Sequence, residues 1–225
     1  MAVGWLDAVI DGAREDLPAC QQAVDYLASR GVSLDTAQRY GVGYASPTRT
    51  TVGSEAWVKW ANRNYAHRLV FPLRSTLGQA IGLQTRSLAE KEYQLFYAQP
   101  SDLHPFVFGL DVALPAIWAR GHVVLVEGVF DALALAPYTD CVLAALRAKP
   151  SRGLTTFLRR YARSVTIMLD MDEPGRDGAF RMLNDQQGYS VSVPSYPAHD
   201  PAEWVASATP AAVARLLAHT HHSVW

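Results

Sequence analysis

Acidic side chains follow two apolar segments in the second half of the chain. Glu127 comes directly after the apolar run Val123 to Val126. Asp170 and Asp172 follow the run Val165 to Leu169 in the same way. Runs of this length are typical of buried strands in a parallel sheet. Ligands collect at the carboxyl ends of such strands, so we expect these carboxylates to meet in one crevice.

Further acids accompany each apolar segment. Asp131 lies in the helical pattern after Glu127, and the sequence HDPAEW contributes Asp200 and Glu203. Carboxylate oxygens without Cys partners suit a hard cation such as Mg²⁺ or Mn²⁺, which completes its shell with water and substrate phosphates. Gathered carboxylates also repel each other and stay ionised only beside a cation. The pattern therefore predicts a metal site for phosphoryl transfer.

Helix capping is an alternative interpretation of several of these acids. Either Asp170 or Asp172 is placed to cap the following helix, although this leaves Glu127 unexplained. Asp131 also fits a first-turn acid that complements a helix dipole. Asp200 also fits an N-cap before a proline.

Composition and charge set limits on the class of protein. The chain has 225 residues, 49% of them hydrophobic and 18% charged, with a net charge of −1. Six Lys or Arg residues lie between Lys59 and Lys91 against one acid, and six more lie between Cys141 and Leu169 with no acid. Each run fits a solvated face, but two runs around an acidic site favour a polyphosphate or nucleic-acid track.

Cysteine usage and hydropathy bear on location. Cys20 and Cys141 are the two cysteines, with no CxxC motif. They support neither a disulfide framework nor a Cys-ligated zinc site. The first residues lack the pattern of a secretory signal, and no apolar run is long enough to span a membrane. We therefore expect a cytoplasmic protein, in a bacterial cell or a phage-infected host, without a membrane partner.

The first half of the chain has the elements of a smaller mixed α/β unit. Residues 5–30 have helical periodicity interrupted at Pro18, and Ser33 is a candidate N-cap for the helix Leu34 to Tyr40. A short strand is predicted at 43–45, and a loop from 46 to 54. RLVFPL and AIGLQTR, separated by a Gly-containing turn, predict an antiparallel hairpin. Residues 89–105 have the composition of a polar link, and 109–120 predict a helix.

Several motifs together resemble a known family. EGVFD, LDMDEPGRDGA and DPAEW resemble the Toprim domain of bacterial-type (DnaG-like) primases, type IA and II topoisomerases and some nucleases. YLASRGVSLDTAQRYGVGYAS, HRLVFPLRSTLGQAIGLQTR and FVFGLDVA resemble segments of the primase branch. The resemblance covers about residues 23–208. It implies an α/β fold with a Toprim (Rossmann-like) domain and a smaller mixed α/β N-terminal lobe.

The resemblance also implies domain limits and partners. We expect a primase-type lobe with the basic hairpin in 1–120, the Toprim domain in 121–208, and a C-terminal helix and tail in 209–225. The Toprim sheet is expected to have about four strands, the three central ones parallel. The family's zinc-binding and helicase-binding modules have no counterpart here, so we expect a catalytic core of the kind that suits a phage or other mobile replicon. A replicative helicase and a separate zinc-binding subunit are the implied protein partners.

The site roles implied by the resemblance are as follows. Glu127, Asp170 and Asp172 are the expected catalytic residues. The expected ligands of two or more Mg²⁺ or Mn²⁺ ions, with no zinc, are Glu127, Asp131, Asp170, Asp172 and Asp200. The expected contacts to a single-stranded DNA template or ribonucleoside triphosphates are Arg68, Arg86, Lys91, Arg147 and Lys149. Arg68 and Arg86 are expected to face the same cleft.

The chain departs from the family pattern at three places. Glu92 precedes Tyr93 where a Lys-Tyr pair is usual, which puts Lys91 one position off. Ala202 replaces a second Asp, and Leu146 to Lys149 replace a Gly-Thr turn.

These features predict a DNA primase core that makes short RNA primers on single-stranded DNA. A metal-dependent Toprim nuclease is the enzymatic alternative, and a primase-derived nucleic-acid-binding module without catalysis is the non-enzymatic one. Topoisomerase activity is disfavoured because no motif places a strand-cleaving Tyr.

Overall fold

The computed structural model describes residues 4–47, 66–97, 104–147, 150–184 and 188–220. The chain divides into two compact units, Met1–Pro100 and Ser101–Trp225. The sequence-based boundary near residue 120 falls after the helix Leu110–Arg120, whose buried residues pack in the core of the second unit. No helix in the described ranges is long and apolar enough to cross a bilayer.

The first unit begins with short helices. They are α1 (Gly4–Asp16), a 3₁₀ turn (Leu17–Ala19), α2 (Gln21–Ser29) and α3 (Leu34–Arg39). Ser33 caps α3 as predicted, because its side chain accepts a hydrogen bond from the Thr36 amide at 3.1 Å. The predicted interruption at Pro18 is also confirmed, since the proline lies in the 3₁₀ turn.

An antiparallel sheet completes the first unit, in the order β1-β2-β3-β4. Its strands are β1 (Gly43–Ala45), β2 (Arg68–Arg74), β3 (Ala80–Ser87) and β4 (Tyr93–Tyr97). The predicted hairpin is confirmed as β2 and β3. The predicted polar link from residue 89 was wrong in part, since Tyr93–Tyr97 pairs along β3. The predicted loop at 46–54 lies largely outside the described residues.

The second unit is a parallel sheet with helices. Its elements are α4 (Leu110–Arg120), β5 (His122–Val126), α5 (Val129–Leu135), β6 (Val142–Ala144), α6 (Arg152–Tyr161), β7 (Ser164–Met168), α7 (Glu173–Asn184), β8 (Ser190–Ser192), α8 (Pro201–Ser207) and α9 (Pro210–Thr220). The strand order is β6-β5-β7-β8. All four strands are parallel, whereas only the three central ones were expected to be. Each parallel connection carries a helix because parallel strands need a long crossover.

One face of this sheet forms a continuous apolar core. Val123, Leu125, Val165 and Ile167 alternate along β5 and β7, and they pack with residues of α4, α6 and α7. The central strands are therefore buried, and their carboxyl ends bring Glu127 and Asp170 to one edge.

Candidate active site

Glu127 lies at the carboxyl end of β5, between the two neighbouring strands β6 and β7. It is half-buried, and within the described residues its Oε2 is a buried atom without a hydrogen-bond partner. Burial, followed by the charges of Asp170 and Asp172, raises the pKa of Glu127 to about 7. A carboxylate left unsatisfied in this way fits a position that a cation completes.

Asp170 emerges beside Glu127 because β5 and β7 are parallel and in register. Val126 pairs with Met168, so Glu127 follows its strand directly and Asp170 comes one residue further along the neighbouring strand, at the same edge. The expected meeting of Glu127 and Asp170 at one edge therefore agrees with the strand register, and the charges of Asp170 and Asp172 both contribute to the raised pKa of Glu127.

Asp172 combines a position near Glu127 with a structural role. Its Oδ1 accepts a hydrogen bond from the Gly175 amide at 2.8 Å, which caps α7. A Cβ on Gly175 would overlap the Asp170 carbonyl oxygen. Gly175 is therefore the residue that lets α7 begin so close to Asp170.

Asp131 is held by backbone groups on both oxygens. Oδ2 accepts a hydrogen bond from the Gly128 amide and Oδ1 accepts one from the Ala202 amide, each at 3.0 Å. Burial, followed by the charge of Asp200, raises its pKa to about 7, although the two backbone hydrogen bonds oppose the shift. Asp131 thus connects the first turns of α5 and α8, in addition to any role toward a metal.

Asp200 is the N-cap of α8, as the capping interpretation predicts. Its Oδ1 accepts a hydrogen bond from the Glu203 amide at 2.7 Å. Glu203 Oε2 accepts a hydrogen bond from the His199 amide at 3.0 Å. Both acids of the third group therefore stabilise the start of α8.

Tyr196 is a further component of this edge that the sequence analysis missed. Its hydroxyl donates a hydrogen bond to the Leu169 carbonyl at 2.7 Å, which fixes the backbone directly before Asp170. Burial, followed by the charges of Asp131, Asp170 and Asp200, raises its pKa. The tyrosine therefore stays a neutral donor among three carboxylates. No residue-type pattern marks Tyr196 in the sequence.

The carboxylates do not form a closed metal cage. In the described part of the chain, no group of three or more Asp, Glu, His or Cys side chains is arranged to hold an ion. Mg²⁺ usually takes one or two protein carboxylates and keeps several waters. The carboxylate oxygens at this edge are the kind of ligand that such an open Mg²⁺ site uses.

Arg68 and Arg86 lie on opposite faces of the antiparallel sheet, so the expectation that they face one cleft was wrong. Directly paired residues share a face, and Arg86 pairs with Leu69, the neighbour of Arg68. Arg68 is 7% exposed and donates hydrogen bonds to Thr85 Oγ1 at 2.9 Å and to Glu92 Oε2 at 3.0 Å. These bonds give Arg68 a structural role.

Arg86 has the properties expected of an anion-binding residue. It is 9% exposed, and its Nε donates a hydrogen bond to the Tyr26 hydroxyl at 2.9 Å. Its guanidinium carbon lies 4.9 Å from the ring centroid of Tyr93 and 5.9 Å from that of Tyr26. Within the described residues, its Nη1 is buried without a hydrogen-bond partner. The two tyrosines therefore orient a guanidinium that still has a donor to offer.

The other predicted basic contacts are placed as follows. Lys91 is exposed in the turn before β4, and Lys149 lies outside the described residues. Arg147 is exposed and follows Leu146, whose amide donates a hydrogen bond to the Glu127 carbonyl at 2.9 Å. Leu146 has a φ of 62°, an uncommon conformation for a residue with a Cβ. The loop after β6 therefore brings Arg147 to the same sheet edge as Glu127.

Comparison with known proteins agrees with this arrangement. Residues 124–205 match the family model described as Toprim-like. A DNA primase of Neisseria meningitidis is 28% identical over 180 residues, which cover 71% of this chain and 30% of that protein. A DNA primase of Aquifex aeolicus is 29% identical over 194 residues, or 76% of this chain and 39% of that protein. The chain thus spans about a third of the length of these curated relatives.

Solved structures show the same architecture. The crystal structure of the zinc-binding and RNA polymerase domains of the Aquifex aeolicus primase superposes with a TM-score of 0.79 and 25% identity, covering 96% of this chain and 60% of that one. The structure of the DnaG catalytic core superposes with a TM-score of 0.81 and 23% identity, covering 97% and 80%. Residues 124–205 therefore form a Toprim-like domain, within a chain that has the fold of the DnaG primase catalytic core.

Proposed function

We propose that this chain is the catalytic core of a DNA primase, which synthesises short RNA primers on single-stranded DNA. The observation that carries the proposal is that Glu127 and Asp170 follow the neighbouring parallel strands β5 and β7 at the same sheet edge, where burial and the charges of Asp170 and Asp172 raise the pKa of Glu127. A DnaG primase catalytic domain of the same fold has been solved bound to single-stranded DNA. The similarity to DNA primases extends over 71% of this chain.

The reaction is nucleotidyl transfer from ribonucleoside triphosphates. The 3′-hydroxyl oxygen of the primer forms a bond to the α-phosphorus, the bond from that phosphorus to the bridging oxygen breaks, and pyrophosphate leaves. Two or more Mg²⁺ or Mn²⁺ ions, when bound, neutralise the charge on the phosphates. Glu127, Asp170 and Asp172 are the proposed principal ligands, with Asp131 and Asp200 in outer positions. Glu127, at the carboxyl end of β5, is also the proposed acceptor of the hydroxyl proton.

The basic residues are proposed to hold the nucleic acid and the triphosphate. Arg86 offers its buried Nη1 to a phosphate, and Arg147 approaches from the loop beside Glu127. Lys91 and Lys149 are proposed as peripheral contacts, and Arg68 contributes mainly through the sheet that it stabilises. A cytoplasmic location, a replicative helicase and a separate zinc-binding subunit belong to the same proposal.

The test is primer synthesis by the purified chain on mixed single-stranded DNA templates, with labelled ribonucleotides and Mg²⁺ or Mn²⁺. Asp170→Asn and Glu127→Gln keep the side-chain size and remove one charge each. We expect each to lower synthesis by about 10²-fold or more, the scale of losing one group that stabilises a charged transition state. Asp177→Asn, which removes an exposed charge from α7, is the matched control and should keep full synthesis.

The outcomes separate the alternatives. Metal-dependent cutting of the DNA without primer synthesis would establish the nuclease instead. Neither activity, in the presence of a zinc-binding primase subunit and helicase, together with metal-independent DNA binding, would establish the non-catalytic binding module. Full synthesis by Asp170→Asn would contradict the proposed active site.

A further inference from the structure

A surface of aromatic and arginine side chains lies at the amino ends of β5 and β7, the opposite sheet edge from Glu127. α4 ends at Arg120, one residue before β5, and α6 ends at Tyr161, two residues before β7. Trp118, in the last turn of α4, is 58% exposed. Trp is among the side chains enriched at the centres of interaction sites.

The rings of this surface hold each other in place. The centroids of Trp118 and Tyr161 are 6.4 Å apart, and those of Tyr161 and Phe157 are 5.0 Å apart. Phe157 is buried in the core of the second unit, and Tyr161 packs against that core. Trp118 therefore packs against Tyr161, which is itself held by the buried Phe157. The indole then loses little conformational entropy when a ligand binds.

Two arginines lie at the ends of the helices that carry these rings. The guanidinium carbon of Arg160 lies 5.5 Å from the centroid of Tyr161. Arg163 is exposed, and its Nη2 donates a hydrogen bond to the Arg120 carbonyl at 2.7 Å. These contacts hold Arg160 beside Tyr161 and Arg163 beside the end of α4.

Few acids oppose this charge. Asp140 pairs with Arg120 through two hydrogen bonds of 2.5 and 3.0 Å. Arg159, Arg160 and Arg163 lie near the end of α6 in a segment, Cys141 to Leu169, that contains no acid. The charge therefore complements a polyanion, which favours nucleic acid over a second copy of this chain, whose net charge is only −1.

We propose that the surface formed by Trp118, Arg160, Tyr161 and Arg163 binds single-stranded nucleic acid. A base stacks on Trp118, while Arg160 and Arg163 contact the adjacent phosphates. Aromatic faces interleaved with arginines bind single strands in this manner without sequence preference. The proposal rests on the proposed function and extends it, because it gives the template a second contact outside the active site.

The position of the surface predicts a dependence on template length. β5 has five residues, so its first and last Cα atoms lie roughly 13 Å apart at about 3.3 Å per residue. A template that reaches only the carboxylate edge does not touch Trp118. A longer template contacts both edges of the sheet.

The experiment measures the affinity of the full chain for a labelled single-stranded oligonucleotide by fluorescence anisotropy, with a chelator present. Trp118→Leu keeps an apolar side chain and removes the π-face, and we expect about tenfold weaker binding, within the range for one stacked base. Trp118→Phe should recover most of the affinity. Arg160→Ala should reduce the slope of log affinity against log salt by about 0.7, the value for one phosphate contact on a single strand. Arg181→Ala, an exposed arginine on α7, is the control and should match the wild type.

Two results would overturn the proposal. Trp118→Leu and Arg160→Ala could both bind DNA as tightly as the wild type, with the same salt slope. Alternatively, Trp118→Leu could dissociate an oligomer in sedimentation while leaving DNA affinity unchanged, which would assign the surface to contact between copies of the chain.

Primer synthesis distinguishes this failure from failure of the proposed function. Trp118→Leu should keep wild-type synthesis on a short template and lose it on a long one at limiting template concentration. Synthesis that survives Asp170→Asn would contradict the active site and would leave the binding result at Trp118 standing.

Discussion

The backbone amide of Ala202 donates a hydrogen bond to Asp131 Oδ1 at 3.0 Å, which joins the first turn of α8 to the first turn of α5. Ala202 stands where the family pattern has a second Asp, and this contact uses only the backbone of that position. The chain therefore keeps a connection between the two helices despite the missing carboxylate. Asp131 is the side chain on which this connection depends.

Replacing Asp131 should cost stability. Asp131→Ala leaves the partly buried amides of Gly128 and Ala202 without their acceptor, and the loss of two hydrogen bonds predicts about 2 to 3 kcal/mol lower free energy of unfolding. Urea denaturation measures this free energy of unfolding. Asp177→Ala, an exposed acid on α7, should change the value by no more than about 0.5 kcal/mol. Equal stability of the two variants would contradict the role of Asp131.

The stability of the metal-free chain should fall as pH rises. The pKa of Glu127 is raised from 4.5 to about 7 in the folded state, so between these values the folded chain binds more protons than the unfolded one. Its contribution is therefore fully present below about pH 4.5 and is lost as pH rises through about 7. Asp131, whose pKa is raised from 3.8 to about 7, also makes the folded chain less stable as pH rises.

Denaturation in a chelator across this pH range measures the effect. Glu127→Gln should flatten the dependence, because the amide does not titrate. Added Mg²⁺ should stabilise the wild type at the upper end of the range and stabilise Glu127→Gln less. An unchanged pH profile in Glu127→Gln would rule out this carboxylate as a source of the dependence.

Gly175 should accept no side chain. In Gly175→Ala, the new Cβ would overlap the Asp170 carbonyl oxygen and would lie 3.1 Å from Asp172 Oδ1. The backbone before α7 must move, so we expect at least about 2 kcal/mol lower stability together with loss of primer synthesis. Thermal unfolding and the primer assay measure both. Arg181→Ala tests whether any change in α7 has this result, and it should have neither effect.

Arg86 and Arg68 should respond differently to substitution. Arg86→Lys keeps the charge and removes the guanidinium fork, so we expect roughly tenfold weaker binding of single-stranded DNA or triphosphate. Tyr26→Phe, which removes the hydroxyl bound to Arg86 Nε, should weaken binding less. Arg68→Ala should mainly reduce stability, because its bonds to Thr85 and Glu92 are lost.

Binding isotherms and urea denaturation of the same proteins separate these effects. Arg39→Lys, an exposed residue of α3, serves as the reference for a conservative Arg to Lys change. If Arg68→Ala weakened binding as much as Arg86→Lys without changing stability, the structural role assigned to Arg68 would be wrong.

The sequence was sufficient for the strands and edges that carry the carboxylates. Apolar runs at β5 and β7 predict buried parallel strands, and the acids that follow them must then share an edge. β4 was missed because Tyr93 and Leu95 are 43% and 37% exposed, so the strand lacks the apolar pattern of a buried one. Its pairing with β3 comes from the sheet, and local propensity does not reveal it.

Side-chain roles were harder to predict than positions. Whether Arg68 and Arg86 lie on the same face of the sheet depends on the hairpin register. A shift of one residue moves every side chain of a strand to the other face. Composition and spacing do not specify that register. In the same way, the spacing of Asp172 and Asp200 suits both capping and metal binding. Only the observed hydrogen bonds from Gly175 and Glu203 show that capping is present.

The contrast between the two sheets has a consequence for the order of folding. β2, β3 and β4 follow one another along the chain and pair with their immediate neighbours, so their contacts are local. In the parallel sheet, by contrast, β5 pairs with β7 across an intervening strand and two helices. Closing long loops before any contact forms slows folding. In pulsed hydrogen exchange during refolding, amides of β2 to β4 should therefore gain protection first, and the edge that holds Glu127 and Asp170 should assemble last.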